Sequence, residues 1–306
     1  MVEVSDWVKV YSDDMDVFTR LDHPYLLTLW RYAGAGWPVL YIHGATFPIA
    51  LSVAHRFDGF SWADSLHAAG LDVWGLDFAG YGASRGADVP QIPAVEQIDA
   101  AVAAIQTATG YDSVTIIAHS WGSIPAGMFA VLNPRSVKAL ILFGPIAQRG
   151  GPPAGAPDQG WRLITADDQY RRFVEDVPSG ESPVLSPAHF SAWAPMWLAT
   201  DPASQDRCPH SVRVPRGPYN DIAAAWSGRL PYDPARLACP TLIVRGIWDR
   251  VCDDDDVAWF RDRVSGRLFH HVEVARGTHL LHLEAQRFEL YAACEQFIRQ
   301  QLRMST

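Results

Sequence analysis

Short runs of apolar residues recur along the chain, separated by stretches in which apolar positions are spaced as on one face of a helix. Such runs are expected for strands that are covered on both faces, as in a parallel sheet. Their alternation with helical stretches indicates an α/β fold with a doubly wound, mostly parallel sheet. The runs span residues 26–32, 38–43, 71–75, 114–119, 139–143, 241–245 and 268–275.

Helical periodicity occupies several of the intervals between these runs. Residues 95–107 place apolar side chains at positions 95, 98, 102 and 105, which form a stripe along one helix face. Residues 253–264 begin with acidic side chains, which are favoured at the positive end of a helix dipole. Helices are also predicted over residues 121–132 and 283–302.

Residues 148–231 interrupt this rhythm. They contain 12 of the 22 prolines and four tryptophans, without a clean alternation of strand and helix. We interpret the segment as an insertion, helical in part, that forms a cap subdomain over the carboxyl edge of the sheet. Residues 1–147 and 232–306 are then the core domain. A long disordered loop is the alternative interpretation, but disordered segments are poor in aromatic residues.

Composition and net charge indicate which binding partners and which cellular location to expect. The 306 residues are 48% hydrophobic and 19% charged, which is typical of a chain with a packed core. A net charge of −9 and the lack of a basic stripe make nucleic acid an unexpected partner. The amino-terminal sequence does not resemble a secretory signal, and no apolar run is long enough to span a membrane. Four cysteines without CxxC spacing predict reduced thiols in a cytoplasmic protein rather than a zinc site.

One serine stands on a predicted strand-to-helix turn, in the sequence Ala118-His119-Ser120-Trp121-Gly122. Such a turn holds the serine hydroxyl clear of the sheet and brings backbone segments close together. Small residues are therefore required two places before and after the serine. A serine hydroxyl in this position becomes a nucleophile when an imidazole takes its proton and a carboxylate orients that imidazole.

This turn resembles the GxSxG nucleophile elbow of the α/β-hydrolase superfamily, with alanine in place of the first glycine. A G-x-x-D turn at 246–249 and a G-x-H-x-x-x-x-E stretch at 277–284 resemble the superfamily segments that supply the acid and the base, in the expected order. The resemblance implies that Ser120 is the nucleophile, His279 the base and Asp249 the residue that orients the base.

The resemblance covers roughly residues 25–145 and 235–303 and also decides between neighbouring candidates. His282 lies three residues after His279, but the superfamily pattern places the base at His279. The acidic run 253–256 lacks the spaced oxygen ligands of a calcium loop and fits a helix cap. We therefore expect neither a metal nor an organic cofactor.

The resemblance further implies an oxyanion hole, in which two backbone N–H groups stabilise the negative oxygen of a tetrahedral intermediate. One donor is Trp121, the residue after the nucleophile. The other is Ala45, which follows the pair His43-Gly44 after an apolar run. The glycine-rich HGGG form is absent, which disfavours lipases of bulky alcohols and close kinship with proline iminopeptidases.

The leading hypothesis is that the chain hydrolyses an ester, lactone or thioester through an acyl-enzyme intermediate. The substrate is expected to be a small molecule with an apolar acyl or alcohol part. Trp161, Trp193 and Trp197 of the insertion are candidate substrate-binding residues, because aromatic side chains suit an apolar group.

Other activities stay open. An aminopeptidase or amidase is one, because residues 120–123 resemble the elbow of proline iminopeptidases and the acids Glu175, Asp176 and Glu181 could bind a substrate amine. A C–C bond hydrolase is another. Dehalogenases and epoxide hydrolases are disfavoured, since these relatives have aspartate at the position of Ser120. A non-catalytic ligand-binding protein on the same fold is disfavoured by the presence of all three candidate residues.

Overall fold

Ten strands are found in the residues that this computed structural model describes, which are 16–22, 26–85, 93–158 and 160–304. Eight of them form one sheet in the order β1-β2-β4-β3-β5-β6-β9-β10, and β7 and β8 pair as a separate ribbon. The strands are β1 (Asp16–Asp22), β2 (Leu26–Tyr32), β3 (Pro38–Ile42), β4 (Asp72–Asp77), β5 (Val114–His119), β6 (Val137–Phe143), β7 (Trp161–Thr165), β8 (Ser211–Pro215), β9 (Thr241–Gly246) and β10 (Phe269–Val274).

The sheet is mostly parallel, as the apolar runs predict. Strands β1, β2 and β4 pair antiparallel, and β4, β3, β5, β6, β9 and β10 pair parallel. Every residue of β3, β4, β5 and β9 is buried, because hydrophobic clusters cover both faces of the sheet. Alternate residues of a strand join different clusters, so that Leu40 and Ile42 lie in one and Val39 and Tyr41 in the other. The predicted α/β-hydrolase fold class is confirmed.

Eight α-helices lie within the described ranges. They are α1 (Trp62–Ala68), α2 (Ala94–Thr109), α3 (Ser123–Leu132), α4 (Ala166–Val174), α5 (Pro187–Ala199), α6 (Gly217–Trp226), α7 (Asp254–Arg261) and α8 (Arg287–Arg303). Helix α3 begins two residues later than predicted, because residues Ser120–Gly122 form a 3-10 turn. Helix α8 also begins late, because Leu281–Leu283 form a 3-10 turn and Glu284 is extended.

Three elements lie outside the sequence predictions. Strand β1 pairs with β2 at the edge of the sheet. Helix α1 has only seven residues, and its start is fixed by a capping box between Ser61 and Asp64. The ribbon of β7 and β8 lies within residues 148–231, where the sequence indicated partial helix and no clean alternation of strand and helix. These short elements have too few residues to establish a clear period.

Residues 148–231 contribute the β7–β8 ribbon and helices α4, α5 and α6. Helix α5 packs its two tryptophans against the loop that follows β3, which we call the 44–51 loop. The Trp193 Nε1–H donates to the Leu51 carbonyl at 3.0 Å, and the Trp197 Nε1–H donates to the Thr46 carbonyl at 3.2 Å. Both tryptophans are completely buried. The segment therefore contacts the core at the carboxyl end of β3.

Candidate active site

The strand-to-helix turn after β5 places Ser120 in a left-handed backbone conformation, with φ of 54°. A positive φ at a residue other than glycine is strained and is found mainly at functional sites. Two residues on, a Cβ at Gly122 would lie only 2.5 Å from the carbonyl oxygen of His43, so glycine is required there. The sharp turn thus follows from the local sequence and holds the Ser120 side chain at the end of the strand.

His279 lies between Ser120 and Asp249. The Ser120 hydroxyl lies 2.7 Å from His279 Nε2, and His279 Nδ1 lies 2.9 Å from Asp249 Oδ2. The other carboxylate oxygen accepts the backbone N–H groups of Val251 and Cys252 at 2.8 and 3.0 Å. The Asp249 carboxylate accepts a hydrogen bond from the Nδ1–H of His279. Nε2 is then unprotonated, and its lone pair faces the serine hydroxyl. This tautomer can take the hydroxyl proton.

Gly144, at the end of β6, leaves the space that this pair of side chains occupies. Its φ is 52°, and a Cβ there would lie 2.8 Å from Asp249 Oδ2 and 3.0 Å from His279 Nδ1. No sequence motif identified this residue, and its one sequence signal was that a glycine directly follows a predicted strand.

A second set of buried groups holds the backbone around His279. The Thr278 N–H donates to Glu284 at 3.0 Å, and the Thr278 hydroxyl contacts the same carboxylate. Burial raises the pKa of Glu284 to about 7. The His119 Nε2–H donates to the His279 carbonyl at 3.0 Å, and burial holds the pKa of His119 well below its usual value. His119 is therefore a neutral donor that positions the His279 backbone.

The 44–51 loop passes close to Ser120, since a Cβ at Gly44 would lie 3.3 Å from the serine Cβ. The His43 Nδ1–H donates to the Gly44 carbonyl at 2.7 Å, while His43 Nε2 accepts the N–H of Phe78 at 3.2 Å. Burial lowers the pKa of His43 to about 4, so the ring is neutral at pH 7. The anchored Gly44 carbonyl fixes the peptide unit that contains the Ala45 N–H, because the peptide is planar.

The same loop is fixed at further carbonyl groups. The Tyr81 hydroxyl donates to the Ala45 carbonyl at 2.6 Å, and the Trp197 Nε1–H donates to the carbonyl of the next residue, Thr46. The Trp121 indole donates to Asp221 on α6 at 2.8 Å. Both residues that the sequence predicts as oxyanion donors therefore belong to segments held by side-chain hydrogen bonds.

A cavity of about 410 Å³ reaches Ser120 and His279. One wall comes from α6 and presents Tyr219, Ile222 and Trp226. A second wall comes from β7 and α4 and is polar apart from Ile164. The remaining lining residues come from the 44–51 loop and the turns near the candidate nucleophile. The polar wall consists of Arg162, Asp168, Gln169, Arg171, Arg172 and Glu175.

The three tryptophans predicted to bind substrate lie elsewhere. Trp193 and Trp197 are buried behind the 44–51 loop and do not line this cavity. Trp161 lines a separate cavity of about 290 Å³, together with Trp121 and Asp221. Position in the inserted segment was therefore insufficient to tell which aromatic residues face the space above Ser120.

The three acids considered as an amine site are engaged by arginines. Glu175 and Asp176 pair with Arg172 at 2.8 and 3.3 Å, and Glu181 pairs with Arg276 at 2.9 Å. Among the described residues, no group of three or more His, Cys, Asp or Glu side chains is arranged to hold a metal ion. None of the helices in that part of the chain is long and apolar enough to cross a membrane.

Comparisons with known proteins agree with this architecture. A family model described as serine aminopeptidase, S33, matches residues 53–286. Similar solved structures include an esterase from Thermogutta terrifontis, with a TM-score of 0.59 and 19% identity over 90% of this chain and 93% of that chain. They also include naproxen esterase from Bacillus subtilis, with a TM-score of 0.61 and 13% identity over 96% of this chain and 95% of that chain.

A variant of a meta-cleavage product hydrolase is similar at a TM-score of 0.63 and 17% identity, over 92% of this chain and 97% of that chain. No curated protein matches the sequence. At these identities the solved structures show the fold alone, whereas the family model spans most of the chain. The chain therefore belongs to the serine aminopeptidase S33 family of α/β-hydrolases and is a hydrolase.

Proposed function

We propose that this protein cleaves a carboxylic ester, lactone or thioester by way of an acyl-enzyme intermediate. The observation that supports this most directly is the continuous hydrogen-bonded series from Ser120 through His279 to Asp249, with distances of 2.7 and 2.9 Å. All three side chains are buried or nearly so, and the serine opens onto the 410 Å³ cavity.

In the proposed mechanism, Ser120 Oγ attacks the substrate carbonyl carbon while His279 Nε2 takes the hydroxyl proton. The carbonyl oxygen becomes an anion and accepts the backbone N–H groups of Ala45 and Trp121. His279 then gives its proton to the leaving alcohol or thiol, and the acyl group stays on Ser120. Water repeats the attack with His279 as base, which releases the acid. Asp249 stabilises the imidazolium in both halves.

The Trp193 and Trp197 side chains serve this mechanism through the loop rather than through the substrate. Their N–H groups bind the carbonyls of Leu51 and Thr46, which both follow Gly44, the residue that approaches Ser120. Within the proposal they keep the Ala45 N–H in place. Trp161 contacts only a substrate that extends into the 290 Å³ cavity.

An aminopeptidase is the second candidate, because the matching family model is described by that activity. Such an enzyme needs a carboxylate that is available to the substrate's ammonium group. The acids near the cavity are paired with arginines, as for Glu175 with Arg172 at 2.8 Å and Asp168 with Arg171 at 3.2 Å. This pairing favours ester hydrolysis over removal of an amino-terminal residue.

The test combines covalent labelling with a substrate panel. Wild-type protein should react with a fluorophosphonate probe and hydrolyse p-nitrophenyl esters, and Ser120→Ala should lose both. Ser123→Ala is the matched control, since Ser123 accepts the Ile146 N–H instead of facing His279. Turnover of aminoacyl p-nitroanilides alone would replace the esterase proposal with the aminopeptidase. A folded protein that neither labels nor turns over any substrate would overturn both.

A further inference from the structure

Within the described part of the chain, one arginine of the polar wall has no carboxylate partner. Arg171 pairs with Asp168 at 3.2 Å, and Arg172 pairs with Glu175 at 2.8 Å. The Arg162 side chain, on β7, makes no ion pair or hydrogen bond with any residue in the described ranges. Its guanidinium lies over the Tyr219 ring of α6, 4.9 Å from the ring centre.

This environment suits the binding of an anion. The face of Tyr219 attracts the guanidinium without using its N–H donors, so the planar group stays available for a carboxylate. Arg162 is also exposed, so a ligand in the cavity can reach it. A guanidinium binds a carboxylate through two parallel hydrogen bonds, which gives direction as well as attraction.

A second residue of the same wall lacks a partner. Gln169, on α4, is 1% exposed and lines the cavity, yet its side-chain Nε2 has no hydrogen-bond partner within the part of the chain that is described. A buried amide donor without an acceptor is costly and rare in native proteins. An acceptor oxygen on a bound ligand would remove this cost. The two unpartnered groups thus call for the same ligand chemistry.

The lining residues that come from α6 have a different character. Tyr219, Ile222 and Trp226 of α6 present apolar surface to the same space. A ligand that fills the cavity therefore places an apolar chain along α6 and an acceptor group against β7 and α4. We propose that Arg162 and Gln169 form a carboxylate subsite, and that the preferred substrate is an ester with a carboxylate remote from the bond that is cleaved. This inference rests on the proposed ester hydrolysis.

The first experiment compares two p-nitrophenyl esters of equal length, the mono-ester of adipic acid and its methyl-capped neutral analogue. A hydrogen bond to a charged group changes binding by about tenfold to a hundredfold. Wild-type kcat/KM should favour the free carboxylate by about tenfold or more. Arg162→Gln should reduce the ratio of kcat/KM for the two esters to about one, and Gln169→Leu should reduce that ratio severalfold.

Arg171→Gln is the matched control, because Arg171 lies on the same wall but is paired with Asp168 and is 68% exposed. This variant should keep the preference for the carboxylate. A parallel pair of esters with the carboxylate on the alcohol side identifies which half of the substrate the subsite holds. A wild-type protein that prefers the neutral ester in both pairs, or a preference that survives Arg162→Gln, would overturn the inference.

Equilibrium binding separates this inference from the proposed function. Titration calorimetry with monomethyl adipate, which has one free carboxylate, and with dimethyl adipate, which has none, is done on the Ser120→Ala protein, in which no turnover occurs. Tighter binding of monomethyl adipate that is lost in Ser120→Ala/Arg162→Gln supports the subsite even if no ester is hydrolysed. Hydrolysis of neutral esters without a preference for monomethyl adipate in binding supports the proposed function and refutes the subsite.

Discussion

Replacement of Gly144 by alanine should slow catalysis without removing any group that takes part in it. The glycine has φ of 52°, and an added Cβ would lie 2.8 Å from Asp249 Oδ2 and 3.0 Å from His279 Nδ1. Ordinary contact between such atoms begins at 3.4 Å. The carboxylate or the imidazole must therefore move by about 0.6 Å, or the backbone after β6 must shift by a similar distance.

The size of the effect follows from this displacement. A misplacement of about 1 Å at a reacting group can cost about a hundredfold in rate. A shift of about 0.6 Å therefore predicts a fall in kcat of the order of tenfold to a hundredfold. Complete loss of the orienting carboxylate, which costs about 10⁴ in a serine protease, is the upper limit. Alanine in the left-handed conformation should also lower the free energy of unfolding by roughly 1–2 kcal/mol.

The assay measures kcat and KM for a p-nitrophenyl ester together with the rate of fluorophosphonate labelling. Gly110→Ala is the control, because Gly110 has φ of 75° at the end of α2 and nothing within 4 Å of its added Cβ. It should show a similar loss of stability with unchanged kcat. Both variants are compared with wild type by urea unfolding.

A folded Gly144→Ala protein with the wild-type kcat would contradict this prediction. It would mean that the pair of Asp249 and His279 tolerates displacement, or that the pair is not the catalytic one. Equal losses of kcat in Gly144→Ala and Gly110→Ala would assign the effect to backbone strain in general instead of to contact with the pair.

Three further predictions concern the groups around Ser120. Asp249→Asn should lower kcat by about 10⁴, because the amide cannot hold the required tautomer of the base. Trp197→Phe removes the N–H bound to Thr46 while keeping a ring, and should lower kcat by about tenfold with little change in KM, since a displaced oxyanion donor acts on the transition state. Glu284→Gln should change the pH dependence of stability. Burial raises the pKa of Glu284 in the folded protein to about 7 from 4.5. The contribution of this carboxyl to the free energy of unfolding is therefore full below pH 4.5 and is lost as the pH rises through 7. In urea unfolding, the wild-type free energy of unfolding should be lower at pH 8 than at pH 5 by roughly 2–3 kcal/mol. Glu284→Gln should lack this difference.

Each of these predictions has a control and an opposing result. Asp253→Asn changes a nearby helix-capping acid and should keep kcat, whereas full activity of Asp249→Asn would exclude its orienting role. Trp37→Phe removes a buried indole N–H that has no hydrogen-bond partner among the described residues, and it should have no effect on kcat. A rise in KM alone for Trp197→Phe would favour substrate contact. An unchanged difference between pH 5 and pH 8 in Glu284→Gln would contradict the assignment of that difference to this carboxyl.

The sheet and the candidate nucleophile were predictable because their signals are local. Strands covered on both faces produce apolar runs, as in the fully buried β5, and a sharp strand-to-helix turn needs small neighbours such as Gly122. The resemblance added His279 and Asp249, which the structure brings within hydrogen-bonding distance of each other. Their catalytic roles stay predictions until the variants are measured.

The inserted segment was less predictable because its contacts are not local. Its aromatic content indicated an ordered segment, but a tryptophan in the sequence suits either a buried position or a cavity wall. Packing of α5 against the 44–51 loop buried Trp193 and Trp197, and Trp226 of α6 faces the cavity instead. The short ribbon of β7 and β8 likewise depends on pairing between strands about fifty residues apart, which periodicity within either strand does not reveal.

Local sequence was enough to predict the α/β architecture, the serine on its turn and the order of its candidate partners, since each depends on periodicity or on a short motif. Only the three-dimensional structure shows that Ser120 and His279 meet across 159 positions, that Gly144 makes room for Asp249 and His279, and that Arg162 has no acidic partner among the described residues. These features arise where distant elements pack together. A single sequence specifies the side chains on each element but does not state which of them face one another.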